Sequence, residues 1–144
     1  MLRSQGHRPR PVRAVGERRG VPQAWKRGLV EYDQKVGIRW IWQAMDGAMT
    51  KAPLGGEATG PNPTDRAKKG VKRSLHTEGA GIPIGPAIGP ANRNDHKPMR
   101  ETLERWPLRP PRGTSQHMCL DKGYDYDEAR EVPDANRFVA HISG

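Results

Sequence analysis

Two aspartates carry the clearest chemical signal in this chain. Asp46 stands in Met45-Asp46-Gly47-Ala48-Met49-Thr50-Lys51, and Asp121 stands in Cys119-Leu120-Asp121-Lys122-Gly123-Tyr124-Asp125. Each follows a short apolar run that reads as a strand, and they lie far apart in the sequence. Two carboxylates at strand ends suit a shared divalent cation. Hard ions such as Mg²⁺ take oxygen ligands and are held by one or two carboxylates plus phosphate oxygens. The competing reading is structural, because Asp beside Gly is a common turn residue. The five histidines (His7, His76, His96, His117, His141) have no metal-type spacing. Cys119 is the only cysteine, so no intramolecular disulfide forms. It reads as a buried strand residue.

The elements that must position these groups follow from periodicity. Trp25, Leu29, Tyr32 and Val36 recur at helical spacing over 24–36, and Gly37 is a plausible stop. Ile38, Trp40, Trp42 and Ala44 alternate with Arg39, Ile41, Gln43 and Met45, which predicts a strand. Asp46 continues its even-numbered face at the strand's end, and Trp40 and Trp42 are expected in the core. Residues 50–70 are rich in Gly and Pro and read as one long loop. Val71–Thr77 is a second strand, Glu78–Gly81 a hairpin turn, and Ile82–Ala91 a return strand. Pro83, Pro86 and Pro90 confine that return strand to an edge. Asp95 can cap a helix with Pro98 in its first turn and Met99, Thr102, Leu103 and Trp106 on its buried stripe. Met118–Leu120 is a short strand. Asp125 or Asp127 opens a helix that Pro133 stops, and Arg137–Ile142 is a last strand. The acidic run Asp125, Asp127, Glu128, Glu131 and Asp134 reads as a solvated helix face. A hairpin unit followed by crossover units gives a mixed α/β sheet. If its first and fourth predicted strands are neighbours, the two carboxylates converge.

Composition and charge bound the partners. The chain has 17 Gly and 14 Pro among 144 residues, and hydrophobic residues are 33%. A small apolar fraction leaves less buried area against chain entropy, so a partial fold with long irregular segments is expected. The net charge of +9 is clustered. Residues 1–27 carry eight Lys/Arg against Glu17, and residues 62–76 carry Arg66, Lys68, Lys69, Lys72 and Arg73 against Asp65. Such clusters are the footprint of a polyanion partner, most commonly nucleic acid. Residues 1–23 read as a disordered basic tail. No apolar run approaches a membrane span, and the N-terminus lacks the apolar core of a secretory signal, so a cytoplasmic location is the expectation.

The same residues carry a family resemblance. Trp42-Gln-Ala-Met-Asp46-Gly47-Ala-Met-Thr-Lys51-Ala-Pro is followed by Gly55-Gly56 and Gly60-Pro61-Asn62-Pro63-Thr64-Asp65-Arg66. Then come Lys69-Gly70-Val-Lys72-Arg73, Gly79-Ala-Gly81-Ile-Pro83, Gly89-Pro-Ala91-Asn92-Arg-Asn-Asp95 and Leu120-Asp121-Lys122-Gly123-Tyr124-Asp125. No single piece is specific, but the ordered series over residues 24–142 resembles the insertion-sequence DDE transposases of bacteria. The resemblance implies a partial RNase H-like mixed sheet with flanking helices over 24–144. It makes Asp46 and Asp121 the first and second catalytic acids, holding Mg²⁺ or Mn²⁺. Lys51, Arg66, Lys68, Lys69, Lys72 and Arg73 would contact DNA, both terminal inverted repeats and target. Asp95 matches a recurrent family position outside the catalytic three. The family's third acid is a Glu on a later helix, so the chain is expected to be a truncated core, inactive alone and nucleoid-associated. It could form homo-oligomers or pair with full-length transposase. The alternative is a non-enzymatic basic DNA-binding protein or an inhibitor of full-length transposase.

Overall fold

The computed structural model describes residues 20–143. Most of the expected disordered tail, residues 1–19, lies outside the described residues. Residues 20–23 do not belong to a tail: they form the first turn of helix α1 (Gly20–Lys35). Leu29 of α1 is in the core, with Trp25 and Tyr32 packed against it. Val36 is exposed, because the helix has already ended. Gly37 takes φ +91°, and the Val36 and Gly37 N–H groups both donate to the Tyr32 carbonyl. That positive φ suits glycine, which has no Cβ to clash.

Six strands make one mixed sheet: β1 (Trp42–Lys51), β2 (Gly60–Pro61), β3 (Lys69–Thr77), β4 (Pro83–Pro90), β5 (Gln116–Leu120) and β6 (Phe138–Ile142). The long path runs β2-β3-β1-β5-β6, and β4 also pairs with β3. β1, β3 and β4 form an antiparallel meander, whereas β5 and β6 add in parallel beside β1. The parallel additions need crossovers, and the helices supply them. Helix α2 (His96–Glu104) packs on β3 and β4, and α3 (Asp127–Ala135) packs on β6 and α2. The α2 stripe is as expected, with Met99, Thr102, Leu103 and Trp106 all buried. Together with Ile84, Met118, Val132 and Phe138 they form the core.

Several expectations are corrected. The first strand starts at Trp42 and runs through Asp46 to Lys51, so Asp46 lies inside the strand, not at its end. Pairing with β3, from Ala44 opposite Thr77 to Lys51 opposite Gly70, holds it extended through Gly47. The 50–70 loop is interrupted by β2, and Asn62 ties its tip by accepting from the Thr64 N–H and hydroxyl. Pro133 lies inside α3 and is buried. Packing of Ala129, Val132 and Pro133 against the core outweighs the lost backbone bond. Asp95 occupies the cap position of α2 but makes no side-chain cap bond, because its carboxylate turns to Lys72. The prolines of β4 sit on an edge strand as expected, opposite Thr77, Leu75 and Val71.

Candidate active site

Strand parity decides which side chains share a face. In β1, Gln43 and Met45 are buried, while Trp42, Ala44 and Asp46 point the other way. In β5, Gln116, Met118 and Leu120 are buried, while His117 and Cys119 point away, and Asp121, which directly follows the strand, is exposed. The helices cover the first face. The second face holds Asp46, Asp121 and the exposed hydrophobics Trp42, Leu75, Ile88 and Val139. Trp42 and Cys119 are therefore not core residues: Trp42 is 51% exposed and Cys119 is also exposed. Trp40, which precedes the strand, is buried.

The pairing register of β1 and β5 runs toward the two aspartates. Trp42, Gln43 and Ala44 are level with His117, Met118 and Cys119, at one constant offset in sequence. Carried two positions past the paired residues, the same offset would set Asp46 level with Asp121, which directly follows β5. Tyr124 reports the same neighbourhood. Burial raises the pKa of its hydroxyl, and the negative charges of Asp95, Asp121 and Asp46 raise it further. The Tyr124 ring reaches this position because residue 47 is glycine. A Cβ there would stand 2.9 Å from the Tyr124 hydroxyl. Asp121 also has a local structural task. Its Oδ1 accepts the Gly123 N–H at 2.9 Å and caps the short 3-10 turn Lys122–Tyr124. Its other oxygen has no such bond.

The donor set suits a hard cation in part. Both carboxylates are exposed and on one face, and Mg²⁺ characteristically uses one or two carboxylates while keeping several waters. Among the described residues, no three His, Cys, Asp or Glu side chains converge as a metal cage.

The basic candidates fall into two groups. Arg66 and Lys68 are exposed on the loop that Asn62 organises, and Lys69 and Arg73 are exposed on β3. Arg73 lies opposite Ala48, on the face and at the end of the sheet that carry Asp46. Lys51 pairs with Asp65 at 3.3 Å, and its side chain stays 75% exposed. Lys72 differs from the rest. Its ammonium contacts Asp95 at 2.7 Å and donates to the Arg93 carbonyl at 2.8 Å, with the side chain only 13% exposed. It lines a polar groove of about 390 Å³ with Asn92, Arg93, Asp95 and Tyr126. The acidic run around α3 is solvated, as expected.

With this geometry in place, comparison with known proteins adds one result. Over 81 residues the chain is 35% identical to a Burkholderia cepacia protein named "Putative transposase for insertion sequence element IS402". The chain is similar to an insertion-sequence transposase. The match covers 51% of this chain but only 37% of that transposase, so the chain spans well under two thirds of its relative's length. No protein-family model matches the chain. Among the described residues, no helix is long and apolar enough to cross a membrane.

Sequence reasoning missed two features near these residues. Tyr124 stood in the quoted motif without a role, yet it is buried in the core with its hydroxyl beside Gly47. His117 and His141 looked scattered, yet they meet beside Trp42. The signal was available: Trp42 and His117 are separated in sequence by the same interval as the two aspartates.

Proposed function

We propose that this chain is catalytic-core sequence of a DDE-type insertion-sequence transposase, with an RNase H-like sheet whose open face meets DNA. The register of β1 against β5 supports this reading, since its offset, continued two residues past the paired Ala44 and Cys119, would bring Asp46 level with Asp121 just after β5. The likeness to the Burkholderia cepacia protein supports it, and so does the order of an antiparallel meander followed by parallel crossovers. A bound Mg²⁺ or Mn²⁺ would activate the attacking oxygen and steady the leaving oxygen of a phosphodiester. Asp46 and Asp121 would hold it. Gly123 orients Asp121 through its N–H. Arg66, Lys68, Lys69 and Arg73 supply phosphate contacts to terminal inverted repeats or target DNA. Lys72 works through Asp95, as a positioning residue at the edge of the site.

Two carboxylates hold one metal more readily than two. The described residues are therefore expected to bind Mn²⁺ weakly and to perform no strand transfer by themselves. Mn²⁺ binding followed by electron paramagnetic resonance tests the site. Asp46→Asn and Asp121→Asn are each expected to weaken binding, and unchanged binding in both would remove the metal reading. Incubation with the element's terminal inverted repeats and Mn²⁺ tests the chemistry, and specific 3′-end cleavage would overturn the expected inactivity. DNA binding is expected to weaken steeply with salt, with a log–log slope near −0.9 per phosphate neutralised. A flat salt response would leave the basic loop as a solvated surface.

A further inference from the structure

The open face carries a second cluster that the Asp46–Asp121 pair does not use. His117 on β5 and His141 on β6 are diagonal neighbours in a parallel pair, because His117 is level with Val139 and His141 with Cys119. Nδ1 of His117 lies 2.9 Å from Nε2 of His141. The Trp42 indole stacks on the His117 ring at 4.4 Å and 23°, and its centroid lies 5.0 Å from that of His141. Both rings are thus held by neighbouring strands and by one aromatic side chain, and both are reachable from solvent. The strand rise from Trp42 to Asp46 amounts to about 13 Å, so this cluster is separate from the carboxylates.

We infer that His117 and His141 form a two-histidine clamp for a borderline divalent transition metal such as Ni²⁺ or Cu²⁺. Imidazole nitrogen suits these ions, whereas Mg²⁺ prefers oxygen. An imidazole nitrogen sits about 2.0–2.1 Å from such a metal. Two of them at a right angle are then about 2.9 Å apart, the separation found here. In the metal-free protein one ring donates a proton to the other. Moving that N–H to its ring's other nitrogen and turning both lone pairs to one cation converts the hydrogen bond into a chelate. The remaining coordination positions fall to water, since no third His, Cys, Asp or Glu of the described residues converges with the pair. The clamp would tie β6 to β5 from the solvent side. This inference does not depend on the transposase reading.

Calorimetric titration of the untagged full chain with NiCl₂ tests it, with tryptophan fluorescence as a second readout. Saturable binding with quenching is expected. His117→Gln and His141→Gln keep side-chain size and polarity at accessible positions, and circular dichroism checks that each folds. Loss of an outer-shell partner alone costs about 10–100-fold in metal affinity, so each substitution is expected to weaken Ni²⁺ binding at least about tenfold. Trp42→Phe is expected to retain binding and lose most of the quenching. Cys119→Ser and Asp46→Asn are expected to bind Ni²⁺ as the natural sequence does. Absence of saturable binding would overturn the clamp. So would equal affinity when both histidines are replaced, or dependence on Cys119 or Asp46 in place of the histidines.

Discussion

The two faces of the sheet obey different rules. On the helix-covered face, Met45, Ile84, Met118 and Leu103 are at most 2% exposed, and even the polar residues Gln43, Ser74 and His76 are buried. On the opposite face, residues of the same strands leave Trp42, Leu75, Ile88 and Val139 between 42% and 53% exposed, beside Asp46, Asp121, His117 and His141. The first face holds the fold together by exclusion of water. The second gathers carboxylates together with imidazoles and the aromatic ring that stacks on them, and stability places few demands on it. Leu75 and His76 are adjacent in β3, yet one belongs to each regime.

The largest contrast is expected from truncating one leucine on each side. Leu103 is 1% exposed between α2 and the sheet. Leu103→Ala removes buried methyl groups and leaves a cavity, at a cost of about 2–5 kcal/mol. Leu75→Ala acts at a half-exposed position, where about 0.5 kcal/mol is the expected scale. Urea unfolding of both variants measures the difference. Equal losses would mean that the open face is covered in solution.

Glu78 sharpens the point, because it is a carboxylate on the buried side of the comparison. It is 2% exposed and accepts three backbone N–H groups, from Arg39 at 2.9 Å, Ala80 at 2.7 Å and Ile82 at 3.0 Å. It closes the turn between β3 and β4 and fastens the segment entering β1. Glu78→Ala strands these donors, each worth about 1–3 kcal/mol when buried and unpaired, and a net loss of about 3 kcal/mol is expected in the same unfolding assay. A loss below about 1 kcal/mol would show that water replaces the carboxylate.

His76 makes the buried face sensitive to pH. It is fully buried against Trp106 and Phe138, and neither ring nitrogen has a hydrogen-bond partner. Burial lowers its pKa from 6.5 to about 3. The unfolded chain therefore takes up a proton below about pH 6.5 that the folded chain refuses. Stability from this group is complete above that pH and falls as the pH drops toward 3. At about 1.4 kcal/mol per pH unit, roughly 2 kcal/mol is lost by about pH 5. His76→Phe is expected to flatten this part of the stability profile. An unchanged slope would assign the acid sensitivity to other groups.

Much of this arrangement is legible in the sequence, and the failures have physical causes. Period-two alternation gives the faces of β1, including the side on which Asp46 lies. The proline content of Pro83–Pro90 identifies an edge strand, because a proline cannot donate to a ladder. The pairing of the first strand with β5 is legible only as a condition, since register depends on contacts between segments remote in sequence. Local propensity misplaces the end of α3, where tertiary burial holds Pro133 inside the helix. The ion pair of Lys72 is not legible locally, because its partner Asp95 lies on the far side of β4 in the chain. Trp42 and Cys119 are misplaced for one reason. An apolar residue on a strand is expected to face a covered side, but this sheet has helices on one side only among the described residues.

The smallest expected effect on stability comes from the residues of greatest chemical interest. Asp46 is exposed and makes no hydrogen bond or ion pair to another side chain among the described residues. Asp46→Asn is therefore expected to change stability by no more than about 0.5 kcal/mol. Removing one of three negative charges near Tyr124 is also expected to lower that hydroxyl's pKa toward its ordinary value, because Asp46 contributes to raising it. Asp121→Asn keeps an oxygen for the Gly123 N–H, and Asn caps about as well as Asp, so its cost is expected to be similarly small. Both substitutions still weaken Mn²⁺ binding if the pair holds a cation. A large stability loss at Asp46 would place this carboxylate under the rules of the covered face. A small loss together with weakened Mn²⁺ binding would show that the open face holds its acids for chemistry and not for folding.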